Sequence, residues 1–319
     1  MKKLKPLSLE GIKTSSLPAR ASKVSHRDFG RPWEPGGTFK EFAARLPRIL
    51  AGETLREVAG AWVRARRHGR PVLLGMGAHP IKVGLNPVLI DLLQRRLITG
   101  LALNGAGIIH DTEVAMVGHT SEDVDRELLC GRFGMAKETA EFLNAAISWG
   151  GKAGLGLGEA VGRKLLEADF PHQHLSLVRA AAALGVPVTV HVAVGADTIH
   201  LHPSVDPEAL GAATHLDFRL FAAQVAELSQ GVYLNMGSAV ILPEVFLKAV
   251  TLARNLGHQV APLTTVNLDF IQHYRPLTNV VQRPTEPGGK GYALTGHHEL
   301  LFPLLAALVV EAWEEAHAH

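Results

Sequence analysis

The amino-acid sequence predicts an α/β protein built on a doubly wound, mainly parallel, Rossmann-like sheet with helices on both faces. Three observations predict it: short continuous apolar runs that read as strands buried on both faces, helical periodicity between them, and glycine-rich turns at the ends of four runs.

Composition bounds the rest. The 319 residues exceed the usual domain length, yet one sheet covered on both faces reaches this size, so a single large domain over residues 38 to 319 is expected. Hydrophobic residues make up 47% and charged residues 19%, which is enough apolar material for a core and too little charge for disorder. A formal charge of +2 gives no reason to expect a nucleic-acid partner. The basic residues nevertheless crowd the start. Lys2, Lys3, Lys5, Lys13, Arg20, Lys23, Arg27 and Arg31 face only Glu10 and Asp28, so residues 1 to 37 read as an extended arm over a neighbouring surface or as solvated charge. Cys130 is the only cysteine, which excludes an intrachain disulfide and fits a reducing cytoplasm. Leu300 to Val310 is far shorter than the roughly 20 residues that span a bilayer and reads as a buried helix, so no membrane partner is expected.

Helical spacing over Thr38 to Leu50 and Glu53 to Arg67 turns Phe39, Phe42, Leu46, Leu55, Val58 and Trp62 inward. Val72 to Leu74 is the first strand of the sheet and ends in Gly75-Met76-Gly77. Asn86-Pro87 starts a helix carrying Leu89, Ile90, Leu93 and Leu97. Ile98 to Leu103 is the next strand and leads through Asn104-Gly105-Ala106-Gly107 into a helix reaching Ala115. An insertion from about Ser121 to Pro171 follows, with a helix over Ala136 to Ile147 and a glycine-rich stretch from Gly150 to Gly158. Beyond it, helices over Leu175 to Leu184, Leu216 to Leu228 and Glu244 to Leu256 alternate with strands over Val186 to Val194, Val232 to Asn235 and Val260 to Thr265. Asn279 to Val281 is expected as the last strand before the C-terminal helix. Such alternation implies right-handed crossovers.

In an open parallel sheet, ligands bind beyond the carboxyl ends of the strands, where loops and helix starts offer free N–H groups to anions. Four strand ends carry the needed small residues. The candidate cofactor contacts are Gly75, Gly77, Ala78 and His79; Asn104, Gly105, Ala106 and Gly107; Gly195 and Asp197; Gly237 and Ser238; and Asn267 beyond the next strand. No Gly-x-Gly-x-x-Gly opens a helix and no Walker-type loop is present, so a bound nucleotide uses a less common arrangement.

At these turns the chain resembles the deoxyhypusine synthase family. Val72 to Gly84 is similar to that family's strand and serine-asparagine turn, and Leu101 to Asp111 to its threonine-alanine-glycine-glycine motif. Val186 to Asp197 is similar to the strand bringing a substrate-binding aspartate, Val232 to Ser238 stands where the family has three glycines, and Glu299 to Leu305 is similar to its final helix. The likeness runs from about residue 70 to 312, with the insertion at 121 to 171 matching poorly. It implies a deoxyhypusine synthase-like fold, NAD as cofactor, a homotetramer, and aminoalkyl transfer from a polyamine such as spermidine through a lysine imine. Lys290, in Pro287-Gly288-Gly289-Lys290-Gly291, falls where the family's tryptophan-glycine-lysine motif would and is the implied imine-forming amine. Such a nucleophile requires desolvation and a lowered pKa.

Two departures stand out. No histidine follows Ser238, where Ala239 to Pro243 continue, and the family's paired acids are replaced by Ile109-His110-Asp111, for which Asp111 and Glu113 could substitute. His110 and Asp111 are therefore the candidates for proton handling, with His79 and His119 as further histidines near the strand ends. Two alternatives stay open. One is a nucleotide-binding protein of the same fold without transferase activity; the other is a metal-dependent hydrolase using among the 17 histidines the pairs His172/His174, His200/His202 and His297/His298. Strand alternation would put His200 and His202 on one face. No zinc motif or cysteine pair supports that reading, and no metal is assigned.

Overall fold

The computed structural model describes residues 4–317; Lys2 and Lys3 of the basic arm lie outside the described residues. The chain divides after Glu53 into two compact units. In the first, residues 4 to 37 are largely extended and exposed, with 3-10 turns at Leu17–Ala19 and His26–Asp28. One helix follows, α1 (Phe39–Arg45), closed at its start by reciprocal bonds between Thr38 and Glu41. It stops five residues short of the expected Leu50 because Pro47 pushes Leu46 into an extended conformation.

Helix α2 (Ala51–Arg67) continues into the second unit. There follow β1 (Val72–Met76), α3 (His79–Lys82), α4 (Asn86–Gln94), β2 (Gly100–Asn104) and α5 (Gly105–Val117). The insertion forms α6 (Val124–Leu129), α7 (Lys137–Lys152) and α8 (Leu157–Glu167), and Gly154, at φ +69°, turns the chain between the last two. Then come α9 (Leu177–Ala183), β3 (Val188–His191), α10 (Pro207–Ala226), β4 (Val232–Met236), α11 (Ile241–Asn255) and β5 (Thr264–Asp269). A short α12 (Tyr274–Pro276), β6 (Lys290–Thr295) and α13 (His298–His317) complete the chain.

All six strands are parallel, in the order β3-β2-β1-β4-β5-β6. Winding therefore reverses between β1 and β4, which opens a crevice at their carboxyl ends. Val72, Leu74, Met76, Leu101 and Leu103 pack on one face with Leu55 and Trp62 of α2, Leu89 of α4 and Ile108 of α5; Leu73 and Tyr233 pack on the other with Phe221 of α10 and Phe246 of α11. The doubly wound parallel sheet is as expected. Among the described residues, no helix is long and apolar enough to cross a membrane.

β3 is shorter than the expected Val186 to Val194 and β2 starts at Gly100 rather than Ile98, but two strands differ most from expectation. The fifth begins at Thr264 rather than Val260, because Pro262 has no N–H to give the ladder. The last is Lys290–Thr295, while Asn279 to Val281 lie in π-helical turns; a three-residue apolar run does not by itself distinguish helix from strand. The glycines around Lys290 hid the true strand. Gly291 is required there because a Cβ would strike the Val281 carbonyl.

The outer side of edge strand β3 is closed by α10. Asp217 accepts from the Val190 N–H at 2.7 Å and the Gly158 N–H at 2.9 Å, and the Thr214 hydroxyl donates to the Val190 carbonyl at 2.8 Å. Burial pushes the Asp217 carboxyl from its ordinary 3.8 up to about 7, against those N–H bonds. A raised folded pKa stabilises fully below the unfolded value and is lost as pH rises through the folded one, on the order of 4 kcal/mol in all. Thermal melts of the wild type should therefore fall from about pH 4 to about pH 7, and Asp217→Asn, whose amide oxygen still accepts both N–H groups, should flatten that decline.

Candidate active site

The carboxyl ends of β1 to β5 place four glycine turns on one rim of the sheet, but the turns are not equivalent. At the end of β2, the Asn104 side chain accepts from the Gly107 N–H at 2.9 Å. The Asp197 carboxylate accepts from the N–H groups of Ala193, at 3.0 Å, and Ala106. A Cβ on Gly105 would strike that carboxylate. The start of α5 is thus already capped by the chain's own acid: Asn104, Gly105, Ala106, Gly107 and Asp197, expected as cofactor contacts, pack against one another, and a phosphate there would meet the Asp197 carboxyl. Gly195, at φ +85°, serves the loop after β3, its N–H facing His200 Nδ1 at 3.3 Å.

The β1–β4 crevice differs. Gly77 and Gly237 run so close that a Cβ on Gly77 would strike the Gly237 carbonyl, and Gly237 itself holds φ +64°. Helix α11 begins without a side-chain cap at Val240; Ser238 Oγ accepts only from the Leu242 N–H, at 3.1 Å. In this first turn Pro243 has no N–H and the Glu244 N–H bonds the Val240 carbonyl, so the Ile241 N–H is the amide left for a ligand. Phe270, Ile271 and Tyr274, all exposed, follow the end of neighbouring β5 as flat apolar surface. Gly77, Ala78, Gly237 and Ser238 therefore border a crevice at the switch point of the sheet. Gly75 and Asn267 do not reach it: Gly75 is glycine because the buried Tyr233 hydroxyl occupies its Cβ position, and Asn267 is buried between Asn235 and Gln272, bonded to each at 2.7 Å.

Beside the ends of β2 and β3 lies a cavity of about 920 Å³. Its walls combine apolar side chains such as Ile109, Met116, Phe142 and Phe170 with the carboxylates of Glu113, Glu122, Glu138, Glu141 and Asp197, against the single ammonium of Lys82. Much of this wall is the insertion that matched poorly in sequence. On it, the Thr120 hydroxyl donates to Glu113 and accepts from His110 Nδ1–H at 2.6 Å, with Glu113 3.7 Å from the same nitrogen. Burial pushes the Glu113 carboxyl up, but the hydrogen bonds from His110 and Thr120, the His110 charge and Thr139 outweigh it and hold it below the usual range. The carboxylate thus fixes the hydroxyl, the hydroxyl fixes the imidazole, and His110 Nε2 is left as the free nitrogen. Glu113 was legible one helical turn after His110. Thr120 and Lys82 were not, because they come from loops and a separate helix.

No protein-family model matches the chain, and no curated protein matches it. Solved structures do share its fold. Unliganded AgrE gives a TM-score of 0.55 at 16% identity, over 84% of this chain and 34% of that one. The ternary complex of AgrE with ornithine and NAD+ gives 0.54 at 15%, over 82% and 33%. A proposed deoxyhypusine synthase from Entamoeba histolytica gives 0.50 at 12%, over 88% of this chain and 96% of that one. A conserved LOR/SDH protein from Methanococcus maripaludis S2, also a proposed assignment, gives 0.50 at 14%, over 83% and 71%. The fold is deoxyhypusine synthase-like. Identities of this size establish fold alone, and the chain spans about a third of the length of AgrE.

Within this deoxyhypusine synthase-like fold, two expected catalytic residues are misplaced. Lys290 opens β6, paired with Thr264 at the amino end of β5, so it lies on the opposite rim from the glycine turns. The six residues of β6 separate the rims by roughly 17 Å. Its ammonium is exposed, bonded to Glu57 at 2.8 Å, and raised above its ordinary pKa first by that bond and then by Tyr292, the reverse of what an imine-forming lysine needs. Lys290→Ala should leave borohydride trapping and turnover at wild-type levels, with loss of either reinstating the residue. Asp111 is fully buried, accepting from Asn86 Nδ2 at 2.9 Å, Ser176 Oγ at 2.6 Å, and the N–H groups of Leu177 at 2.8 Å and Val178 at 3.1 Å. It ties the start of α9 to α5 and is closed to substrate.

The histidine pairs form no metal site: among the described residues, no three His, Cys, Asp or Glu side chains converge as a ligand set. His200 and His202 do not share a strand face, because residues Thr198–Leu201 form a 3-10 turn.

Proposed function

We propose that this protein is an NAD-dependent enzyme that oxidises a cationic amine, a polyamine or similar molecule. The observation that carries the reading is the cavity, whose lining holds five carboxyl groups and one lysine, apolar walls that suit methylene chains, and a carboxylate-oriented histidine. A cation meets attraction there that an anion would not. The β1–β4 crevice supports the cofactor, through the close-packed Gly77 and Gly237, with Ala78, Ser238 and the Ile241 N–H beside them. NAD+ bound there supplies the hydride acceptor. The protein's part is to hold the amine by its charge, exclude water with Phe142 and Phe170, and take the amine's proton at His110 Nε2 as the substrate is oxidised. Transfer through an imine at Lys290 is not part of this reading.

Thermal-shift titration tests it. NAD+ should raise the melting temperature, spermidine should raise it further, and Glu113→Gln should weaken the second effect. No response to NAD+ would sink the cofactor assignment; a response to NAD+ with none to any amine would leave a nucleotide-binding protein of the same fold. A larger shift with a dicarboxylate than with amines would overturn the substrate class.

A further inference from the structure

At the β1–β4 crevice two imidazoles meet face to edge, with His79 Nδ1 3.0 Å from His298 Nδ1. Their separation is a hydrogen bond, so one of the two nitrogens carries the proton. The rest of the geometry decides which. His298 Nε2 lies 3.1 Å from the Leu268 carbonyl, which only accepts, so His298 is protonated at Nε2 and its Nδ1 offers a lone pair. His79 therefore holds its own proton at Nδ1 and presents an unprotonated Nε2. That nitrogen makes no hydrogen bond among the described residues and is not one of the buried polar atoms, so it opens to the crevice.

The pair is built into the fold. His298 is completely buried, and Gly237 has no Cβ because one would stand 2.9 Å from His298 Cε1. The Asp269 carboxylate lies 3.8 Å from His298 Nε2, on the side away from His79. The charged groups facing the pair are Asp269 at the end of β5 and Glu299 at the start of α13, with Phe270 as an apolar neighbour.

We propose that His79 and His298 form a proton-sharing acid–base pair at the switch-point crevice, with His79 exchanging a proton with an ammonium or hydroxyl group of a bound ligand and His298 and Asp269 as positioning residues. The balance is simple. A ligand N–H or O–H gives its proton to His79 Nε2, the Nδ1 proton of His79 passes to His298 Nδ1, and the resulting imidazolium faces Asp269; return of both protons restores the pair. The inference shares with the proposed function only the location of a ligand at this rim, and it concerns a nitrogen distinct from that of His110.

Long-range proton–nitrogen correlation spectra of the histidine rings in the full chain test the geometry. At high pH, His79 should be protonated at Nδ1 and His298 at Nε2; His79 protonated at Nε2 overturns the inference. Acylation by diethylpyrocarbonate tests the accessible nitrogen. His79 should react, NAD+ should protect it, and the pH midpoint of its reaction should move in both His298→Gln and Asp269→Asn. An unreactive His79, or a midpoint unmoved by both variants, also overturns it. Absence of any melting shift with NAD+ defeats the proposed cofactor alone, since the ring spectra and the acylation midpoint are measured without it.

Discussion

Replacing His110 by glutamine is expected to lower amine-dependent reduction of NAD+ by about 10²- to 10⁴-fold, the range spanned by a positioned acid or base. Glutamine keeps a polar end within reach of Thr120 but offers no nitrogen that takes a proton near neutral pH, so the loss should fall on turnover. The surrounding geometry makes the residue replaceable in structural terms, since His110 is half-buried on the cavity wall and its side chain is held through one nitrogen, by Thr120 and Glu113. Glu113→Gln should give a smaller loss, because it removes the charge that orients Thr120 and leaves the imidazole in place. Steady-state kinetics with NAD+ and a panel of amines reads both. A His110→Gln rate within about threefold of wild type would remove the histidine from the chemistry.

Asp111→Ala is expected to be the most damaging single substitution for stability. It orphans donors from Asn86, Ser176, Leu177 and Val178 in a site closed to water. Each buried unsatisfied donor costs about 1–3 kcal/mol, so the loss approaches the 5–15 kcal/mol that holds a typical domain together. Asp111→Asn should cost less, since one oxygen still accepts. Chemical denaturation of the two variants against wild type measures the difference. The informative exception would be an Asn variant with wild-type stability and no turnover, which would return Asp111 to the active site.

These two adjacent residues show where sequence reading succeeds and where it stops. Placing both at the end of a glycine turn was legible, because the alternation of apolar runs and helical segments fixes which turns lie at strand ends. Their roles were not. One helical step of about 100° separates neighbours on α5, so His110 faces the cavity and Asp111 faces α9, and the direction depends on how the helix packs. The same holds for glycine. Gly77 and Gly237 floor a crevice, Gly75 makes room for Tyr233, and Gly105 makes room for Asp197, although all four look alike in sequence.

Local pattern by itself determined the α/β class, the parallel sheet and the rim at which a ligand is sought, because burial on both faces dictates continuous apolar strands and crossovers dictate their direction. Only the tertiary structure decided that Lys290 lies on the far rim, that an acidic cavity is walled by the insertion, and that His79 meets His298 across 219 residues. Those facts depend on which distant segments pack together, and separation along the chain carries no record of distance in space.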